Sequence, residues 1–262
     1  MNRSFVKFCA LGLALAAALF VLAPASSAQD KDWKGFYLGG NIGGAFGSSD
    51  ATTTTVYDAL GYFATSSPAA IATAGAQSLK PRGFSGGGGI GYNFQSGHLV
   101  VGAEFDFGGM SLNNSLSTTA VYPCCSPTAF TVTQTMKTSW LMTVRPRFGY
   151  AAGGLLIYGT AGLAVTNLDY QATFTDTFAT AAENGGVTKK QTGFAAGVGL
   201  EHKIGSKLSF KGEYLYTRFG SVSATSTNLT AFSPAISFPT NVFTHTANLN
   251  ANIVRGGINY RF

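Results

Sequence analysis

Three histidines, two adjacent cysteines and a run of four glycines are the residues whose type or spacing could support chemistry in this chain. A histidine-based hydrolase needs a nucleophile and an acid within reach of the ring. His98 and His202 fall in short turns and His245 in a long link, so no shared catalytic or metal site is expected. Gly86-Gly87-Gly88-Gly89 lacks the Lys-Ser/Thr that completes a phosphate loop, and no helix pattern follows. Small residues beside bulky neighbours in a strand account for it better. Asn113-Asn114-Ser115 and Asn228-Leu229-Thr230 fit a glycosylation pattern that Ser/Thr-rich loops generate by chance. Cys124 and Cys125 lie between Pro123 and Pro127. In an oxidising space such a pair closes on itself or links two molecules, and both outcomes stay open at this stage.

The charged residues have a pattern, and it depends on the elements that carry them. Only 11% of the chain is charged, against about 25% in an average soluble protein. Nine charges fall inside segments of period two: Glu104, Asp106, Arg145, Arg147, Glu201, Lys211, Glu213, Arg255 and Arg261. All nine share a phase opposite to Phe, Tyr, Val and Leu. A charge on a lipid-facing strand surface costs about 2–4 kcal/mol at mid-membrane, so this segregation points to lipid on the apolar side. The charges are expected to form a network that crosslinks the interior, with Glu104 meeting Arg145, and Glu213 and Lys211 meeting Arg255.

Eight such segments are read. They are Phe36 to Phe46, Phe84 to Phe94, Leu99 to Phe107, Trp140 to Tyr150, Leu155 to Val165, Phe194 to Glu201, Leu208 to Tyr216, and Val254 to Phe262. Lengths near ten residues suit tilted membrane strands. Links of a few residues alternate with long ones, 47–83, 108–139, 166–193 and 217–253. Short turns on one side and long loops on the other define an all-β, eight-stranded, antiparallel, up-and-down transmembrane β-barrel with long extracellular loops. The last strand ends on Tyr260-Arg261-Phe262, and Tyr260 and Phe262 are read as a signal to the barrel assembly machinery.

Arg3 and Lys7, the apolar run from Ala10 to Ala23 and Ser26-Ser27-Ala28 form a secretory signal peptide over 1–28, leaving 29–262 as the barrel domain. Cys9 lies within it. The net charge of +6 falls to +4 once Arg3 and Lys7 are removed. The basic residues are scattered, which argues against nucleic acid as a partner. Aromatics form two belts, one near each end of the strands, as expected at two membrane interfaces. Lys80, Arg82, Lys137, Lys189, Lys190 and Arg218 stand just beyond the outer belt. They are read as a ring contacting lipopolysaccharide phosphates in the outer membrane.

Asp32-Trp33-Lys34-Gly35-Phe36-Tyr37-Leu38-Gly39-Gly40-Asn41-Ile42-Gly43-Gly44 resembles the opening strand of the alphaproteobacterial outer-membrane immunogenic proteins, an opacity-like family of small barrels. Gly102-Ala103-Glu104-Phe105-Asp106, Arg145-Pro146-Arg147-Phe148-Gly149-Tyr150 and the Tyr260-Arg261-Phe262 end are similar to its later strands. The resemblance spans the mature chain but is carried by strands alone. It implies a barrel in the cell outer membrane, not an enzyme, with loops that recognise host or surface proteins.

The function expected is therefore structural and surface-interactive: envelope integrity and loop-mediated recognition or adhesion, as for a surface antigen. A small porin-like channel is the alternative, set back by an interior that side chains of eight strands fill. A lipid-modifying enzyme ranks third, because no His–Ser–acid grouping falls together in this register. No cofactor, metal site or catalytic residue is assigned.

Overall fold

A computed structural model describes residues 32–262; the leader read over 1–28 lies outside them. One antiparallel sheet holds thirteen strands. In chain order they are β1 (Gly35–Thr55), β2 (Gln77–Leu79), β3 (Arg82–Ser96), β4 (Leu99–Met110), β5 (Asn113–Val121), β6 (Ala129–Lys137) and β7 (Trp140–Ala152). There follow β8 (Leu155–Asp176), β9 (Ala182–Lys203), β10 (Leu208–Ser226), β11 (Thr230–Ala231), β12 (Ile236–Ser237) and β13 (Phe243–Arg261). A single helix, α1 (Ser67–Gly75), lies between β1 and β2.

The eight expected segments are the lower parts of the eight long strands β1, β3, β4, β7, β8, β9, β10 and β13. Each pairs with two others of the set: β1 with β13 and β3, β4 with β3 and β7, β8 with β7 and β9, β10 with β9 and β13. The short links shrink to two-residue turns at β3–β4 and β7–β8. Gly97 (φ +60°) and Gly153 (φ +61°) supply the left-handed conformation there, at little cost only for glycine.

The long links differ from expectation. They are largely continuations of the wall: β8 and β9 run 22 residues each and pair over almost their whole length, while 56–66 and most of 227–242 remain loop. The link read over 108–139 is largely a hairpin of β5 and β6, and β6 pairs with the upper half of β8. The physical reason is a switch of apolar phase. On β8, Leu155, Ile157 and Leu163 face outward, whereas Leu168, Tyr170, Ala172 and Phe174 face inward and are buried. Strand β13 does the same at Ile253/Val254: Ala247, Leu249, Ala251 and Ile253 are buried inward, while Val254, Ile258, Tyr260 and Phe262 are exposed outward. Above the switch the sheet buries its apolar side as a water-soluble protein does; below it, the apolar side is turned out.

The inward apolar residues build two stacked cores. The nearer holds Leu79, Met110, Met136, Leu168, Leu215, Phe219, Leu249 and Ile253. The farther, under α1, holds Phe63, Ile71, Phe130, Phe174, Leu229 and Phe243. Phe174 packs on Phe63 at 5.5 Å and on Phe243 at 5.4 Å between ring centres, edge-on and tilted.

Candidate functional site

The interior of the lower half is charged. Residues two apart on a strand share a face, so β4 presents Glu104 and Asp106 together, β7 Arg145 and Arg147, β10 Lys211 and Glu213. All nine charges named from the sequence are buried on this face. Glu104 stands opposite Arg145 in register, and Glu213 opposite Arg255. Arg145 reaches Glu104 at 2.8 Å, Asp106 at 2.5 Å and Glu213 at 3.1 Å. Arg255 reaches Glu213 at 2.5 Å and Asp106 at 3.2 Å. Lys211 departs from the expected grouping with Arg255. It crosses the interior to Glu104, 3.0 Å away, because a four-carbon stem spans the gap between non-neighbouring strands.

A second group lies toward the turns. Arg147 pairs with Glu201 at 2.7 Å and lies over the Tyr158 ring at 3.8 Å. Its other nitrogen donates to the Tyr37 hydroxyl (3.0 Å), which donates to Glu104 (2.8 Å). Both rings sit against a glycine of the neighbouring strand, Tyr37 over Gly91 and Tyr158 over Gly199, where no Cβ would fit. Arg261 lies 3.7 Å from Glu201 and stacks on Trp33 at 4.7 Å. Trp33 is fully buried, with Lys203 over its ring at 5.2 Å, and so stoppers this end. The sequence offered Trp33 only as part of a family motif. A cavity of about 10 Å³ beside Asn41, Asp106 and Arg255 has room for about one water.

Above the nearer core lies a cluster the sequence reading missed. His245 is fully buried. Its Nδ1 meets the Thr53 hydroxyl at 3.0 Å and its Nε2 meets Glu183 Oε1 at 3.1 Å. Ser226 donates to Glu183 and lies 3.4 Å from the same Nε2. A His–Ser–acid grouping therefore exists, contrary to expectation. Its geometry is not that of a relay, because serine and acid address one ring nitrogen. Thr53, Glu183 and His245 are buried and Ser226 is half-buried, and the cluster joins β1, β9, β10 and β13 where β9 and β10 no longer share backbone hydrogen bonds. His98, by contrast, sits in the β3–β4 turn stacked on Tyr150, and among the described residues no group of metal ligands forms.

The outer face of the lower half is an apolar band. Phe36, Phe94, Phe148, Tyr150, Phe210, Tyr260 and Phe262 are exposed near the turns, and Phe46, Phe84, Phe107 and Phe194 near the phase switch. The six cations read as a ring are all exposed but fall into two groups. Arg82 and Lys137 both stand beside Asn113, with Lys80 close by. Lys190 and Arg218 lie on the neighbouring strands β9 and β10, and Lys189 takes the inward phase opposite Leu168. At the far tip, between β5 and β6, Cys124 and Cys125 are exposed and joined to each other in a vicinal disulfide.

An antiparallel sheet that turns aromatic and aliphatic side chains outward and charges inward defines an outer-membrane β-barrel protein. The chain belongs to the outer membrane protein beta-barrel domain family, whose profile matches residues 13–262. It is an integral protein of the cell outer membrane. It is 32% identical over 188 residues to the 31 kDa outer-membrane immunogenic protein of Brucella melitensis, covering 69% of this chain and 67% of that one. It is 28% identical to the 22 kDa outer membrane protein of Rhizobium leguminosarum, covering 72% and 65%. It is 26% identical to the 25 kDa outer-membrane immunogenic protein of Brucella abortus, covering 76% and 72%. None of these names denotes an enzyme. Among solved structures, the outer membrane protein OprG of Pseudomonas aeruginosa is similar at 12% identity, covering 89% of this chain and 99% of its own, with a TM-score of 0.44.

Proposed function

We propose that the eight long strands close into an up-and-down transmembrane barrel that is plugged throughout and carries an ordered outer cap for surface recognition. Closure is supported by the pairing of β8 with both β7 and β9, which returns the ladder to its start. The observation that carries the functional reading is the filling of the interior at successive levels: Trp33, the ion-pair network, then two apolar cores. Solute passage through such an interior would require breaking buried ion pairs, and removing one partner typically costs about 3–5 kcal/mol. The cap, in contrast, offers a rigid surface at the β5–β6 tip.

The roles attached to individual residues follow the same reading. A signal peptide over 1–28 directs export, and Tyr260 and Phe262 engage the barrel assembly machinery. Lys80, Arg82, Lys137, Lys190 and Arg218 contact lipopolysaccharide phosphates, and host or surface proteins meet the cap. Catalysis is disfavoured by the burial of His245 and Glu183 and by serine and acid meeting the same ring nitrogen; unchanged lipid A mass spectra with and without the protein test that point.

The experiment is a pair of measurements on refolded protein. Planar bilayers should record no steady conductance. Cells displaying the wild type should bind matrix or host-cell surfaces better than cells displaying a variant in which 115–135 is replaced by a short turn. Steady large conductance would favour the channel, and equal binding would remove the cap from recognition.

A further inference from the structure

A cleft of about 300 Å³ opens on the outer face above the aromatic belt, lined by Arg218, Phe219, Gly220, Ser221, Asn248 and Asn250. A β-bulge makes it. Phe219 pairs with Leu249 and Val222 with Ala247, so Gly220 and Ser221 together stand opposite Asn248 alone. The ladder between β9 and β10 also ends here, at Gly193 and Phe219. The Gly220 and Ser221 carbonyls are both taken by the Gln191 amide, at 3.5 and 3.0 Å. A Cβ added at Gly220 would meet nothing within 4 Å, so the space is open.

The groups turned toward this space are donors. Asn250 Oδ1 accepts from the Tyr216 hydroxyl at 3.4 Å, and Asn248 Oδ1 accepts from the Asp50 backbone N–H at 3.0 Å. Each carboxamide thus has its oxygen engaged and its NH₂ left to donate. The Arg218 guanidinium is exposed and forms no ion pair among the described residues. The carboxylate of Asp50, whose backbone N–H holds Asn248, accepts from Ser78. A guanidinium, two amide NH₂ groups and the Ser221 hydroxyl require a ligand rich in acceptors and negatively charged. A phosphate with sugar hydroxyls beside it satisfies both requirements. Directly below, Arg218 stands across from Phe194, with Tyr216 two residues down the same strand, so a ligand with acyl chains would have an apolar wall to follow.

We propose that this cleft is a binding seat for a phosphorylated sugar, presented by an outer-leaflet lipid or free in solution. The inference rests on the barrel and its membrane level as proposed above. The test uses full-length mature protein in phosphatidylcholine nanodiscs containing a small fraction of lipid A, with native mass spectrometry counting lipid A retained. Arg218→Gln and Gly220→Leu should each lower retention about tenfold, the second by filling the cleft with every polar group intact, while Lys207→Gln, at an exposed cation of the opposite, turn end, should change it less than about twofold. Loss in Arg218→Gln with full retention in Gly220→Leu would reduce Arg218 to general charge anchoring, and full retention in both cleft variants would remove the seat. Glucosamine 1-phosphate that displaces lipid A shows the free phosphosugar suffices; retention that resists it assigns the seat to the lipid. Wild type that fails to enter the nanodisc at all overturns the membrane placement, not the chemistry of the cleft.

Discussion

Glu104 and Arg145 stand directly opposite each other on neighbouring strands, 2.8 Å apart and both sealed from solvent. Arg145 is shared among three acids, and Asp106 is shared between Arg145 and Arg255. Arg145→Ala strands these carboxylates together and should cost about 3–5 kcal/mol in detergent unfolding. Arg145→Ala with Glu104→Ala should recover part of that loss, since one unpaired acid is removed. Strictly additive losses in the cycle would show that the two side chains do not interact.

The two tryptophans report on opposite environments. Trp33 is buried between Lys203 and Arg261, whereas Trp140 lies on the outer face 6.1 Å from Phe107. Protein carrying Trp140→Phe should resist fluorescence quenching by acrylamide. Protein carrying Trp33→Phe should be quenched by brominated acyl chains. Trp33 emission that responds freely to acrylamide would mean the lower end is open.

Cys124 and Cys125 are bonded to each other and exposed at the cap tip, in an exported protein. Maleimide should label intact cells only after reduction, and non-reducing gels should show a monomer. Labelling without reductant would place the pair in the reduced state, and disulfide-linked dimers would favour the intermolecular form.

Tyr62 and Tyr122 both donate to Asp176 in the cap, at 2.6 and 3.0 Å. Burial, and then the Asp176 carboxylate, push both phenols well above their ordinary value. A raised pKa means the folded cap holds these protons after an unfolded chain releases them. Their contribution to stability is therefore complete below about pH 10 and declines as pH rises beyond it. At about pH 11, phenolate absorbance should show a late-ionising class that shrinks by two phenols in Tyr62→Phe with Tyr122→Phe. An unchanged titration in that variant would contradict the assignment.

The strands of the lower half were legible because lipid excludes charge and side chains alternate: Phe36, Leu38 and Ile42, or Val254, Ile258 and Tyr260, can only be outward if Arg255 and Arg261 are inward. The same alternation continued above the membrane, but with apolar residues on the other face, as Leu168, Tyr170, Ala172 and Phe174 against Asn167, Asp169, Gln171 and Thr173. That inversion was present in the sequence and would have marked the wall's extension beyond the membrane. The charge partners were only partly legible. Glu104 with Arg145 follows from neighbouring strands, but Lys211 with Glu104 depends on the width of the interior, which no local pattern contains. Thr53, Glu183, Ser226 and His245 come from four strands far apart in sequence and lie in Ser/Thr-rich stretches that read as loops. Their meeting is a property of register between long strands. It is decided by how the sheet curves above the membrane, and one residue of slip would separate them.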